Sequence, residues 1–199
     1  TEVWRDYYGT WGNPAIDITL LIATGFHRGT TRAELHSKFG EDILRSERIV
    51  VHNCADNDNL VHLGILPSGA PLVINRLAAE TELLLSEGFI EPHFFAGFSG
   101  GRKSILPGIA ARETVLFNHN AGFIQHPLAM QGSLAGNPVH RDMLFAARAA
   151  GLAFILNVIL GEHHRVVAAF AGEPEVAHAA GCALCDRLTR VAPITADIA

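Results

Sequence analysis

The sequence predicts an α/β domain with a mainly parallel sheet and helices on both faces, a Rossmann-like arrangement. Three observations lead to this prediction: strands alternate with helices, several strands are apolar throughout, and the length of 199 residues suits one domain. A hydrophobic content of 49% provides enough apolar side chains for one core. We therefore expect residues 1–199 to form a single α/β domain.

The first half of the chain contains four strand candidates and one well-marked helix. Residues 16–24 (IDITLLIAT) are typical of a buried strand, and a helix is predicted over residues 30–40. Thr31 and Glu34 form a capping box at the start of this helix, and Gly40 marks its end. The other strands are predicted at 47–53, 71–76 and 81–88. The last of these is ambiguous with a helical turn, because its apolar run is short.

The second half of the chain contains three helices and a pair of strands. Asn137 as N-cap, Pro138 at the first helical position and Gly151 beyond the end predict a helix between them. The helices are expected at 111–121, 138–150 and 173–191, and the strand pair at 152–160 and 165–172.

Charge and hydropathy exclude several classes of function. The formal net charge is −5, so the chain has no basic footprint for a nucleic-acid backbone or an anionic membrane surface. No apolar stretch approaches the roughly 18 to 20 residues that span a bilayer, and residues 1–10 lack the layout of a secretory signal. The sequence therefore predicts a cytoplasmic protein with no nucleic-acid or membrane partner.

The three cysteines are too few for a disulfide framework, which fits a reducing compartment. Cys182 and Cys185 form a C-x-x-C, but the surrounding HAAGCALCDRL has the apolar spacing of a helix interior. This spacing favours packed thiols over a redox pair. Cys54 has no neighbouring partner, so a zinc site is less favoured still.

Two histidines lie where an α/β sheet places its ligands, beyond the carboxyl ends of strands, and a third is expected to face them. His27 follows the first strand and His93 follows the fourth, although either ring could simply cap a helix or bind a loop carbonyl. His119, in LFNHN, is expected on a helix facing back towards the loop after His93, with an exposed helical histidine as the alternative. Seven further histidines receive no predicted role: His36, His62, His126, His140, His163, His164 and His178.

The segment GFSGGRKS, residues 97–104, has the composition of a phosphate loop but not its pattern. Arg102 stands where a Walker motif needs glycine, and the dinucleotide pattern G-x-G-x-x-G is also missing. What remains is a glycine-rich turn whose N–H groups could bind an anion, with Lys103 as a candidate nucleophile of lowered pKa. The alternative is an ordinary surface turn, which the preceding aromatic pair Phe94 and Phe95 makes less favourable.

Five segments together closely resemble the N-terminal domain of the nickel-pincer lactate racemase family. The resemblance runs from about residue 17 to 181 and includes the spacing between the special residues. It is carried by ATGFHRGTTRAEL (23–35), HNCADNDNL (52–60), PHFFAGFSGGRKSILPGIA (92–110), RETVLFNHN (112–120) and GNPVHRDM (136–143).

The resemblance implies a tethered cofactor, a nickel ion held by a pyridinium mononucleotide that carries a thioamide and a thiocarboxylate. Lys103 matches the lysine that forms the thioamide link, and His119 matches the protein ligand to nickel. Ser99, Gly100 and Gly101 would lie beside the cofactor, the glycines allowing a flat ring close to the backbone. Imidazole, two sulfurs and a ring carbon suit a square-planar Ni(II) centre. Cofactor-synthesis enzymes are implied as partners.

The resemblance also implies the reaction, racemisation or epimerisation of a small 2-hydroxy acid by hydride transfer. His27 and His93 match the two catalytic acid/base histidines. One histidine takes the hydroxyl proton while hydride passes to the pyridinium ring, and return of hydride to the other face gives the other enantiomer. A base with a pKa near 6.5 can serve in either direction.

Some features of the family are not found. No counterpart of its phosphate-binding Asp and Thr-Arg-Pro motif precedes Asp17, and its C-terminal domain, which contacts the substrate carboxylate, is expected to be absent from residues 1–199. Arg28 and Arg102 could bind part of the anion, with salt-bridged surface arginines as the alternative. The other functions left open are a non-catalytic anion- or nucleotide-binding α/β module and a small phosphotransferase.

Overall fold

The computed structural model describes residues 17–191 and confirms the α/β class. The strands are β1 (Thr19–Ile22), β2 (Arg48–Val51), β3 (Leu60–Ile65), β4 (Pro71–Asn75), β5 (Leu84–Phe89), β6 (Pro92–His93), β7 (Gly97–Phe98), β8 (Leu152–Leu160) and β9 (Val166–Gly172). The helices are α1 (Arg32–Ser46), α2 (Arg76–Glu80), α3 (Arg112–Asn118), α4 (Ala121–Ile124), α5 (Pro138–Ala149) and α6 (Pro174–Thr189).

The sheets are mixed rather than mainly parallel as the sequence predicted. β1 pairs with β2 and β5 pairs with β8 in parallel, whereas β3–β4, β6–β7 and β8–β9 are antiparallel pairs. The connections explain this difference. Only a few residues join β8 to β9, and parallel strands need a crossover of a dozen or more.

The capping signals are confirmed at both well-marked helices. The Thr31 side chain accepts a hydrogen bond from the backbone N–H of Glu34, and the Glu34 carboxylate accepts one from the backbone N–H of Thr31. Asn137 caps α5 by accepting from the N–H groups of Val139 and His140. Gly40 breaks α1, with φ of 76° and ψ of 166°, and helical backbone then resumes to Ser46.

Several elements were not predicted: β3, the short helices α2 and α4, and the β6–β7 hairpin. The ambiguous segment 81–88 is a strand, β5, over Leu84–Phe89. The hairpin strands contain two residues each, which is too short for hydrophobic periodicity to detect. This hairpin holds His93 and leads directly into the glycine-rich turn.

The main hydrophobic core lies between β4, the turn that follows Lys103, α5 and β8. Its most buried members include Leu72, Ile74, Leu106, Met143 and Ile155. The core therefore packs against the segment that contains most of the candidate site residues. Among residues 17–191, no helix combines the length and apolarity that a bilayer crossing requires.

A smaller apolar cluster packs α6 against the other end of β8. It contains Ile90, Phe98, Ile159 and both cysteines of the C-x-x-C, Cys182 and Cys185, which are free thiols. Burial raises the pKa of Cys182 to about 12, so this thiol stays protonated at neutral pH. The interpretation of packed thiols is confirmed for this pair.

Candidate functional site

The glycine loop, residues 97–104, lies beyond the carboxyl end of β5 and is fastened to both strands of the β5–β8 pair. The Ser86 hydroxyl on β5 and the Ser104 hydroxyl are 2.5 Å apart and share a hydrogen bond. The N–H of Gly101 donates to Oδ1 of Asn157 on β8 at 2.7 Å. The loop is thus held at the sheet edge where α/β proteins bind ligands.

Two glycines of this loop are required by close packing and by their backbone conformation. A Cβ at Gly100 would lie 2.7 Å from Oδ1 of Asn157, and one at Gly101 would lie 2.9 Å from the ring of His178. Both have positive φ, at 78° and 53°. The side chains of Asn157 and His178 therefore occupy the space that a Cβ at Gly100 or Gly101 would need.

Much of the loop's hydrogen-bonding capacity is also used inside the protein. The N–H of Ser99 donates to the carbonyl of Glu91, and the Ser99 hydroxyl donates to the carbonyl of Phe89, each at 2.9 Å. The N–H of Lys103 donates to the carbonyl of Gly100 at 3.2 Å. These groups are not free for an anion, so the geometry gives no support to a phosphate-binding loop.

Arg102 is buried, with 3% of its surface exposed, and its guanidinium points back into the loop. Its N–H groups lie within hydrogen-bond distance of three carbonyl oxygens and two histidine nitrogens. These belong to Ala96 (2.8 Å), Ser99 (3.3 Å), Gly100 (3.2 Å), His140 (3.0 Å) and His178 (2.9 Å). Neither expectation for Arg102 holds, because it is not a surface arginine and its donors already have partners.

Arg28, the other candidate anion ligand, lies on the surface. Its guanidinium makes two hydrogen bonds to the carboxylate of Glu34, at 2.6 and 2.9 Å. The alternative of a salt-bridged surface arginine is confirmed here.

Lys103 is a partly buried amine without an ionic partner among the described residues. No hydrogen bond or ion pair joins its ammonium group to residues 17–191. Burial, and secondly the charge of Arg102, lower the pKa of Lys103 to about 8, while Glu91 acts in the opposite direction. About a tenth of this amine is therefore neutral and nucleophilic at pH 7, far more than of an ordinary exposed lysine.

His93 lies in β6, between two aromatic rings. Its imidazole stacks on Phe94, with centroids 4.7 Å apart, and meets the edge of Phe95 at 4.7 Å. Nδ1 accepts a hydrogen bond from the N–H of Ala96 at 3.2 Å. Burial first, and then the charge of Lys103, lower the pKa of His93 to about 4, so the ring is neutral at pH 7.

His119 follows the last residue of α3 and contacts the other side of the same aromatic cluster. Its ring meets Phe95 edge-on, with centroids 4.9 Å apart. Nδ1 is buried and has no hydrogen-bond partner among the described residues. Burial and the charge of Lys103 lower the pKa of His119 to about 4, which leaves the neutral imidazole that a metal requires. Within residues 17–191, no group of three His, Cys, Asp or Glu side chains is arranged to hold a metal.

His27 lies in an exposed turn that is fastened to the Lys103 segment. The N–H of Gly25 donates to the carbonyl of Gly108 at 2.8 Å, and the N–H of Gly108 donates to the carbonyl of Lys103 at 3.0 Å. Two hydrogen bonds thus link the His27 turn to Lys103. The rings of His93 and His119 both contact Phe95, and Lys103 is close enough to lower the pKa of both histidines. The turn of His27 is joined by hydrogen bonds to the Lys103 segment.

Sequence reasoning missed the residues that hold the loop from behind. His140 on α5 and His178 on α6 contact Arg102, and a cavity of about 230 Å³ between these helices is lined in part by these three residues, Arg148 and Glu175. Their separation in sequence from Arg102, 38 and 76 residues, left no local signal. Only the count of eleven histidines hinted at further roles.

Comparisons with known proteins agree with this geometry. A family model described as the lactate racemase N-terminal domain matches residues 6–132. Two curated proteins named lactate racemase are 54% and 52% identical over 186 residues, from Thermoanaerobacterium thermosaccharolyticum and Lactiplantibacillus plantarum. These matches cover 94% of this chain but 44% of each relative, so the chain spans less than half their length.

Two solved structures have a similar fold. The lactate racemase apoprotein from T. thermosaccharolyticum gives a TM-score of 0.86 at 56% identity, covering 86% of this chain and 41% of that one. A Thermotoga maritima protein gives a TM-score of 0.70 at 26% identity, covering 86% of this chain and 47% of that one.

Proposed function

The chain belongs to the lactate racemase family, and we propose that it forms the cofactor-binding part of a racemase or epimerase acting on a small 2-hydroxy acid such as lactate. One observation carries the proposal: Lys103, an amine without an ionic partner among residues 17–191, lies close enough to His93 and His119 to lower the pKa of both rings. An amine close to two neutral imidazoles that contact one aromatic ring suits a covalently anchored metal cofactor better than a solvated surface.

The described residues fit the nickel-pincer nucleotide that the family resemblance implies. The Lys103 amine would carry the thioamide link, which requires a neutral nucleophile, and burial lowers its pKa to about 8. His119 would supply the imidazole ligand to nickel, since its ring is neutral and its Nδ1 has no partner among the described residues. When bound, the cofactor supplies a reversible hydride acceptor. Ser99, Gly100 and Gly101 would support this site through the backbone.

Proton transfer would be the work of His27 and His93. His93 is neutral at pH 7, so its ring can take the proton of the substrate hydroxyl, and contacts with Phe94 and Phe95 hold the ring in place. Its Nδ1 accepts from the N–H of Ala96, so the hydrogen of the neutral ring lies on Nε2. To accept a proton at Nε2, the ring must first carry its hydrogen on Nδ1 instead. Nδ1 then loses the hydrogen bond from Ala96, which costs about 1 kcal/mol.

His27 has no comparable constraint. Its ring is exposed, and no hydrogen bond from a described residue fixes its tautomer. The two histidines would serve as acid and base on opposite faces of the substrate. A cytoplasmic location with cofactor-synthesis enzymes as partners is part of the same proposal.

The test is loss of optical purity. The protein at the full length encoded by its gene would be produced together with cofactor-synthesis enzymes and incubated with single enantiomers of several 2-hydroxy acids. We expect at least one of them to racemise, and His27→Gln and His93→Gln to abolish the reaction while the cofactor stays attached. His62→Gln, at an exposed position on β3, is the matched control and should retain activity. Full activity in both site variants would contradict the acid/base assignment.

A further inference from the structure

Arg102 is a buried cation whose partners are all uncharged acceptors. Only 3% of its surface is exposed, and no carboxylate of residues 17–191 forms an ion pair with it. A buried charge without a counter-ion is costly unless its donors are satisfied. The arrangement of those donors therefore indicates what the side chain does.

The first group of acceptors is the backbone of the loop that precedes Lys103. NH1 donates to the carbonyls of Ser99 and Gly100, and NH2 donates to the carbonyl of Ala96 at 2.8 Å. The planar guanidinium thus joins both ends of the stretch from Ala96 to Gly100. Because Arg102 itself follows that stretch, its side chain closes the loop on its own backbone.

The second group consists of two histidines on separate helices. The Arg102 Nε donates to Nδ1 of His140 on α5 at 3.0 Å, and NH1 lies 2.9 Å from Nε2 of His178 on α6. Burial first, and then the charge of Arg102, lower the pKa of His140 to about 4 and that of His178 to about 3. Both rings are neutral. Nδ1 of His140 accepts from Arg102, whereas Nε2 of His178, which also lies 2.8 Å from the carbonyl oxygen of Ser99, either accepts from NH1 or donates to that carbonyl. The His178 ring also packs against Gly101.

We propose that Arg102, His140 and His178 form a positioning network that fixes the backbone of residues 96–101 and so holds Lys103 beside His93 and His119. The network couples the two long helices α5 and α6 to the residue that anchors the cofactor. The value of this coupling to catalysis rests on the proposed function, whereas the network itself does not.

A charge alone would not reproduce this network, and that difference makes it testable. Lysine at position 102 keeps the positive charge, but its single nitrogen cannot reach carbonyls and both histidines in a fork. Asparagine at 140 keeps an acceptor near the position of Nδ1, and glutamine at 178 keeps a polar group near Nε2, whereas leucine at either position removes it. Each histidine site thus offers one variant that keeps a polar partner for the network and one that removes it.

The experiment is amide hydrogen exchange, read by mass spectrometry, on peptides covering residues 96–108, with β8 as internal reference. We expect Arg102→Lys and Arg102→Met to raise exchange in the loop by roughly tenfold or more while β8 is unchanged. His140→Leu and His178→Leu should do the same, and His140→Asn and His178→Gln should stay near the wild type. Arg190→Lys, at an exposed ion pair with Asp186 on α6, is the control.

Three results would overturn the inference: unchanged loop exchange in both Arg102 variants, an equal rise in β8, or equal effects of the rescuing and the leucine variants. If the Arg102 variants do not fold, the comparison of His140→Asn with His140→Leu and of His178→Gln with His178→Leu still tests the network. The cofactor mass on Lys103 in the full-length protein is a second readout and should fall in Arg102→Lys. A wild-type protein that never carries this mass would contradict the proposed function, and hydrogen exchange would still decide the positioning network.

Discussion

Lys103 should react as an activated amine, with half-maximal acylation near pH 8. Burial and the neighbouring Arg102 lower its pKa to about 8, so half of the amine is neutral at that pH. An ordinary exposed lysine, with a pKa of about 10.4, is less than about 1% neutral there. The neutral, nucleophilic fraction of Lys103 at pH 8 therefore exceeds that of an ordinary lysine by roughly a hundredfold.

The assay is trace labelling with acetic anhydride between about pH 6 and pH 11, followed by peptide mass spectrometry of the cofactor-free protein. The chain contains one other lysine, Lys38, which is exposed and serves as internal control. Glu91→Gln removes the negative charge that raises the Lys103 pKa, so the midpoint of Lys103 should move to lower pH. An acylation midpoint of Lys103 above pH 10, or a shift of that midpoint to higher pH in Glu91→Gln, would contradict a lowered Lys103 pKa.

Three further predictions follow from the same electrostatics and packing. Lys103→Met removes a cation beside His93, so the pKa of His93, followed by NMR, should rise from about 4 towards 6.5; a fall would contradict this. Gly101→Ala should lower the melting temperature more than Gly151→Ala, because both have positive φ but only the first places a Cβ against the ring of His178; equal effects would count against this packing. The free energy of unfolding should fall as the pH is lowered from 6.5 to about 4, because four imidazoles with lowered folded-state pKa values bind fewer protons than they do in the unfolded chain. A free energy of unfolding that does not change over that range, measured by chemical denaturation, would contradict this. The four are His93, His119, His140 and His178.

Local signals in the sequence predicted the parts of the fold that local interactions determine. The capping box at Thr31 and Glu34 and the Asn137–Pro138 start of α5 are formed by residues three positions apart or fewer, and both are confirmed. The β6–β7 hairpin and the antiparallel pairing of β3 with β4 depend on partners that periodicity does not reveal. The expectation of a mainly parallel sheet was wrong for the same reason.

The residues of the candidate site were likewise predictable from the sequence only in part. His93, Lys103 and His119 were predicted from their sequence positions and from the family resemblance. In the structure both imidazoles contact Phe95, and Lys103 is close enough to lower their pKa values. The burial of Arg102 could not be predicted, since a charged residue in a glycine-rich turn usually lies in solvent. Its burial depends on two distant helices that supply His140 and His178.

Peptide mass mapping tests most directly whether Lys103 anchors a nickel-containing cofactor. The full-length protein would be isolated after production with cofactor-synthesis enzymes, digested, and analysed together with its nickel content. We expect a covalent mass increment on Lys103 together with equimolar nickel. The Lys103→Arg variant should show neither the mass increment nor the nickel. A protein that racemises a 2-hydroxy acid while its Lys103 peptide remains unmodified would contradict this expectation.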